Sequence, residues 1–279
     1  MTMGKFVVSL LVLLQAGIAL GIPTEGPVLE RLVYEASYRG PLTADEKITI
    51  ASLAMTTRGV ALASFKDPLL ETSLLVSSEV FPFVEENFPF RLRIRSLYQV
   101  DSFTLLALEN YRLTDELKHE LTWVDRDSGR VGRYRAEGDG PGLPVALGDW
   151  INTGKLFRYY KPARHKILDG LTDRLSMLQS LRLKQLKPGA GYRFSVTDGK
   201  HLLDYRAEVV GLEQIRSGGK QQQAWKLLLS ADSTRKGVTS PDHAPIHLWL
   251  SKDHAARPLR FIHQHPLGTF TVDLQHVGK

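Results

Sequence analysis

The chain has 279 residues, 36 lysines and arginines against 30 aspartates and glutamates, and no cysteine. That length can bury a sizeable core as one large domain or two modest ones. The missing thiol excludes a disulfide scaffold, a thiolate zinc site, an iron–sulfur cluster, a cysteine nucleophile and a cysteine-linked lipid anchor.

The first residues read MTMGKFVVSLLVLLQAGIALGIP. Lys5 is a short positive region, Phe6 to Ala16 is almost wholly apolar, and Ala19-Leu20-Gly21 places small residues before a cut at Ile22. That is the layout of a secretory signal peptide over residues 1–21. The apolar stretch falls short of the ~20 residues of a spanning helix. A periplasmic address follows as the expectation. The mature chain 22–279 is expected to be a single β-rich domain. Its mild cationic excess suits peripheral contact with anionic headgroups or acidic polymers. Nucleic acid is not an expected partner, since no aromatic-studded basic motif is present.

Most of the mature chain alternates apolar and polar residues. Leu32, Tyr34, Ala36 and Tyr38 share one strand face, and Ile48, Ile50 and Ser52 continue after a Gly-Pro turn. Phe90, Leu92 and Ile94 alternate with Arg91, Arg93 and Arg95. His119, Leu121 and Trp123 run into an Asp-Ser-Gly turn at 127–129. Five glycines and prolines within 138–144 mark a loop and open an excursion over 137–166. Asp198-Gly199, between Tyr192/Phe194/Val196 and Leu203/Tyr205/Ala207/Val209, has the chemistry of a tight hairpin. Trp225, Leu227 and Leu229 form a later face, and Phe270, Val272, Leu274 and His276 the last. One segment departs from this period. Leu171, Leu175, Leu178, Leu181, Leu183 and Leu186 make a helical stripe, capped by Thr172 or Asp173 and stopped by Pro188-Gly189. About a dozen strands and one amphipathic helix of 13–15 residues predict a mainly β fold. Its form is a strongly curved antiparallel sheet or open β-barrel with the helix packed on it.

Candidate chemistry is sparse. His263 and His265 share a strand face and, with His247, His254 or His276, could form a metal site. No HExxH is present and no carboxylate completes the set, so neither a metal nor any other cofactor is expected. Ser251 near Asp253 and His254 suggests hydrolytic chemistry, but local hydrogen bonds in a turn explain it more simply. Asp173 and Ser176 read as a helix cap. Arg91, Arg93 and Arg95 form a cationic row that could hold phosphate or carboxylate headgroups or be a solvated face. Tyr159, Tyr160, Lys161, Arg164, His165 and Lys166 form a second basic, aromatic patch. Trp225, Trp249, Tyr192, Phe194, Tyr205 and Phe270 are expected to face a common interior, which would suit an apolar ligand if hollow and a dry core if filled.

The second half carries an ordered set of motifs. Asp173, Leu175 and Ser176 turn into a helix ending near Leu181-Arg182, followed by a hairpin and the Gly211/Glu213 step. Trp249, Leu250, Ser251 and Asp253 end one strand, Arg257-Pro258 open the next, and Gly268 starts the last. From about 165 to 279 the chain resembles the bacterial domain-of-unknown-function family 3108. The resemblance implies an exported, β-rich protein without an established activity, similar in style to periplasmic carriers of lipid or lipoprotein.

These features together describe a non-enzymatic periplasmic protein. It would bind an apolar or amphipathic envelope component, such as a lipid, an acylated peptide or a glycolipid. Its contacts would be Trp225, Trp249, Tyr192, Phe194 and Tyr205, with Arg91, Arg93 and Arg95 as cations. The alternative is an envelope structural or assembly factor that binds a protein partner or cell-wall polymer through an edge strand or the basic patch. A histidine-based metalloprotein or hydrolase stands third.

Overall fold

The structure is a computed structural model that describes residues 24–62, 65–114, 116–125, 129–136, 157–162, 168–233 and 244–278. The expected signal peptide and most of the 137–166 excursion lie outside these residues.

The chain runs β1 (Thr24–Arg39), β2 (Ile48–Ala61), β3 (Leu69–Ser77), helix α1 (Pro82–Asn87), β4 (Arg91–Gln99), β5 (Leu105–Leu113), β6 (Leu117–Asp125) and β7 (Arg130–Ala136). It continues with β8 (Phe157–Pro162), helix α2 (Arg174–Arg182), β9 (Gly191–Thr197), β10 (Leu202–Ser217) and β11 (Lys220–Ser233). The last strands are β12 (Ile246–Ser251), β13 (Pro258–His265) and β14 (Gly268–Gly278). All fourteen strands belong to one sheet in the order β8-β7-β6-β5-β4-β3-β2-β1-β14-β13-β12-β11-β10-β9. Every ladder is antiparallel. The chain's first and last strands pair in the middle, and two meanders run outward to the edges β8 and β9. The expected curved antiparallel sheet is the observed fold. Part of the excursion belongs to it, because β8 pairs with β7.

The sheet curls around α2. Leu105 N–H donates to Leu171 O at 2.8 Å, and Thr172 bridges in parallel to Val196. The segment entering the helix therefore ties the start of β5 to the far edge strand β9. Leu175, Leu178 and Leu181 pack into one cluster with Leu32, Tyr34, Met55, Val209, Leu227 and Leu248. Two apolar surfaces thus cover each other, the leucine stripe and the concave sheet face.

Polar contacts fix the helix at three levels. At its start, Asp173 caps Leu175 N–H at 2.7 Å and exchanges bonds with Ser176 in a capping box, while Ser96 of β4 donates to the same carboxylate. In the middle, Gln179 donates to Thr57, which links through Thr72 to the buried Tyr98 hydroxyl. At its end, Arg182 grips Glu30 with two nitrogens at 2.6 and 3.0 Å and reaches Ala255 O. The helix is shorter than its leucine pattern predicts. It has nine residues, because Leu171 precedes the cap and Leu183 is the C-cap, 71% exposed. The short helix α1, within the β3–β4 connection, has no periodic signature and was not expected.

Candidate functional site

The predicted aromatic residues do not line one cavity. Trp225 pairs with Leu250 across β11 and β12, so the next residue, Trp249, points to the opposite face. Trp249 is 6% exposed, donates to Glu213 at 2.8 Å, and lies under Lys226 Nζ at 5.3 Å from its ring centre. A bulge between Val209 and Gly211 puts Glu213 on that face. The hydrogen bonds from Lys226 and Trp249 hold the Glu213 carboxyl below its usual range. Trp225, Tyr192 and Phe194 pack against the main cluster. Tyr205 belongs to a smaller one with Met177, Val196 and Leu203. Phe270 stacks obliquely on Tyr38 at 5.1 Å. Trp249 is itself a buried member of the main cluster, and the region under the sheet is occupied by α2 and its leucines, so of the two expected interiors the filled one is observed there.

The arginine row is engaged within the chain. Arg91 binds Glu85 of α1 at 2.8 Å, and Arg93 and Arg95 both donate to Glu109, Arg93 at 2.7 Å. His119 shares the same carboxylate at 2.8 Å. Glu109 is 0% exposed. Its burial alone would raise its pKa, but the His119 hydrogen bond and the two guanidinium groups hold it below the usual carboxylate range. The row is therefore neither a solvated face nor a set of free cations awaiting a headgroup. The sequence signal for this was the single glutamate in the apolar run LLALENYRL. Its meaning depends on the register Arg95↔Glu109, which strand patterns do not give.

The other candidates resolve as turns or dispersed groups. Ser251 Oγ donates to Asp253 at 2.6 Å and accepts from Arg257 N–H, closing a turn as expected. His263 and His265 have ring centres 6.1 Å apart, while His254 and His276 are exposed. Among the described residues no three histidine, aspartate or glutamate side chains gather as a metal site. Tyr159 and Tyr160 of β8 are exposed, with Arg135 stacked on Tyr160 at 3.9 Å. Positions 164–166 of that patch lie outside the described residues.

One feature brings several predicted residues to a surface. A groove of about 410 Å³ lies on the β9–β10 pair, lined by Arg193, Phe194, Ser195, Asp204, Tyr205 and Arg206. Arg193 and Arg206 are direct cross-strand partners. Like charges in that position destabilise a ladder. Arg206 leans to Glu208 at 3.4 Å, and Arg174 of α2 donates to Tyr205 Oη at 3.1 Å. Sequence reading found Phe194, Tyr205 and the neighbouring Tyr192 but missed both groove arginines, which sit in ordinary solvent positions of the hairpin.

The groove adjoins an open strand edge. Among the described residues β9 has β10 on one side and no strand on the other. Thr172 covers its far end, since Thr172 N–H donates to Ser195 O at 2.9 Å and Thr172 O accepts from Thr197 N–H at 2.8 Å. Backbone groups alternate sides in an antiparallel ladder. If Ser195 and Thr197 face the edge, so do Gly191 and Arg193. Val209 N–H donating to Ala190 O agrees with this parity. Among the described residues no backbone partner meets Gly191 or Arg193 from the open side. Both residues are exposed.

Residues 148–275 match the model of a family described as protein of unknown function, DUF3108. This is the expected family, and its match holds α2, β9 and the groove. No curated protein matches the chain. A solved structure, described as a beta-barrel-like protein of domain of unknown function DUF1849 from Brucella abortus, is similar over 91% of this chain and 98% of its own. Its TM-score is 0.51 at 9% identity, a likeness of fold alone. The matched segment thus holds β8, the helix and strands β9–β14, and the residues before it hold β1–β7.

Proposed function

We propose that the protein is a non-enzymatic envelope protein that receives an extended segment of a partner polypeptide by strand addition along β9. The observation that carries this reading is that, among the described residues, no backbone partner meets Gly191 or Arg193 beside the groove, in a sheet whose concave side is filled by α2. Main-chain hydrogen bonds would supply affinity, and Phe194, Tyr205 and the Arg193/Arg206 pair would select side chains. Of the three readings drawn from the sequence, the assembly factor gains from the filled core. The amphipathic carrier remains as a second reading, because the groove is lined by residues of both faces of the pair, with Phe194 and Tyr205 on one and Arg193 and Arg206 on the other.

One pair of variants separates them. Arg193→Pro removes the outward N–H and leaves the β9–β10 ladder intact, and proline is tolerated on edge strands. Arg193→Ala keeps the N–H and removes the charge. With a photo-crosslinker at Arg206 in living cells, strand addition predicts a polypeptide adduct lost in Arg193→Pro and retained in Arg193→Ala. Equal loss in both supports the carrier. No adduct in the native groove, or an adduct indifferent to both variants, overturns the strand-addition reading.

A further inference from the structure

The register places four successive turns on one rim. Tyr38 pairs with Ile48, Ser77 with Arg91, Arg91 with Leu113, and Thr269 with Arg39. The β1–β2, β3–β4, β5–β6 and β13–β14 turns therefore point the same way. Each carries exposed apolar side chains. Leu42 is 70% exposed in the first, and Val80, Phe83 and Phe88 are 69%, 59% and 65% exposed in the second. Leu113 and Leu117 flank the third at 40% and 39%, and Leu267 tips the fourth at 58%. In the sheet order these turns recur every second strand, about 10 Å apart, over an arc of roughly 29 Å. Described turns on the opposite rim differ. Leu62 is buried there, Lys252, Asp253 and His254 occupy the β12–β13 turn, and the exposed apolar side chains of that rim, Val28, Leu29 and Val277, lie on strands and not at turn tips.

From this rim we infer a second function: the protein docks on a neutral, zwitterionic lipid surface by inserting these turn tips. A row of single apolar side chains, evenly spaced at separate tips, matches an extended fluid interface rather than the compact pocketed patch of a protein hot spot. The charges select the lipid. Glu79, Glu85 and Glu86 surround the two phenylalanines, and Arg91 is bound to Glu85. Lys47 reaches Asp273 at 3.8 Å and Lys118 reaches Glu116 at 3.4 Å, and Arg39 and Arg112 are matched in number by Asp45 and Glu46. The rim therefore offers no net attraction to anionic headgroups, whereas electrostatic recruitment would need a surplus of lysine and arginine. Burial of the tips between headgroups and acyl chains supplies the affinity.

The test is vesicle flotation of the protein purified as the cell processes it. The vesicles are phosphatidylcholine alone or phosphatidylcholine with a minority of phosphatidylglycerol. The expected result is flotation with both, insensitive to added salt, and at least tenfold weaker in Phe83→Asp/Phe88→Asp. Leu42→Asp, on a separate turn, should weaken it in the same direction, which guards against failure of one loop to fold. Four results would overturn the inference. They are binding that requires phosphatidylglycerol and vanishes in salt, binding unchanged in folded variants, no flotation at all, and a native dimer that the variants dissociate.

Discussion

Glu109→Gln tests how the outer face of β4–β6 is held together. The native carboxylate is 0% exposed and receives Arg93, Arg95 and His119. Glutamine fills the same volume but removes the counter-charge of two guanidinium groups, of which Arg95 is 3% exposed. Removing one partner of a buried ion pair costs about 3–5 kcal/mol, because the other charge stays buried. Against a total stability of about 5–15 kcal/mol, that is about a fifth or more of the fold. At about 2–4 °C per kcal/mol for a chain of this class, the melting temperature should fall by roughly 6–20 °C. The pH dependence adds a second check. The folded Glu109 pKa is lowered from 4.5, so the folded state holds its proton less tightly than the unfolded chain. Its contribution is complete above pH 4.5 and is lost as the pH falls towards the folded value. Urea unfolding at pH 7 and again below pH 4 should show a large gap between native and variant that narrows in acid. A gap under about 1 kcal/mol at pH 7, the scale of an exposed pair, would refute the account. So would a gap that does not shrink in acid.

Three further outcomes follow from α2 and the turn beside it. Leu181→Ala, at a 0% exposed position in the main cluster, should destabilise by about 2–5 kcal/mol in chemical denaturation. Gly199→Ala puts a methyl against Thr122 Oγ1 at φ +87, where alanine is itself strained, so a loss of about 1–3 kcal/mol is expected in thermal melts. Asp173→Ala should cost about 1–3 kcal/mol by orphaning Ser96 and Ser176 at the helix cap, whereas Asp173→Asn should be milder. Burial raises the Asp173 pKa above 3.8, so in the native protein this group loses stability as pH rises from 3.8 towards its folded value. The Asn variant should therefore gain on the native protein between acid and neutral pH.

What the sequence made legible was whatever depends on near neighbours. Period-two faces marked the strands, Asp198-Gly199 marked the β9–β10 turn with Gly199 at φ +87, and Asp173/Ser176 marked the helix start. What it hid depends on which strand lies beside which. Arg93 and Arg95 look solvated until β5 brings Glu109 onto their face, and the lone Glu71 in LLETSLLVS has the same hidden logic with Arg58. Trp225 and Trp249 look like one lining until the pairing Trp225↔Leu250 sends them to opposite faces. The groove was half visible for the same reason, because Phe194 and Tyr205 have an aromatic signature whereas Arg193 and Arg206 acquire meaning only as cross-strand partners. The open edge has no residue signature at all. It exists because the chain closes its sheet through β1 and β14 in the middle, leaving β9 as an edge that Thr172 covers at one end and leaves free at Gly191 and Arg193. Its consequences are therefore best probed by changes to the backbone donor at Arg193 rather than to side chains.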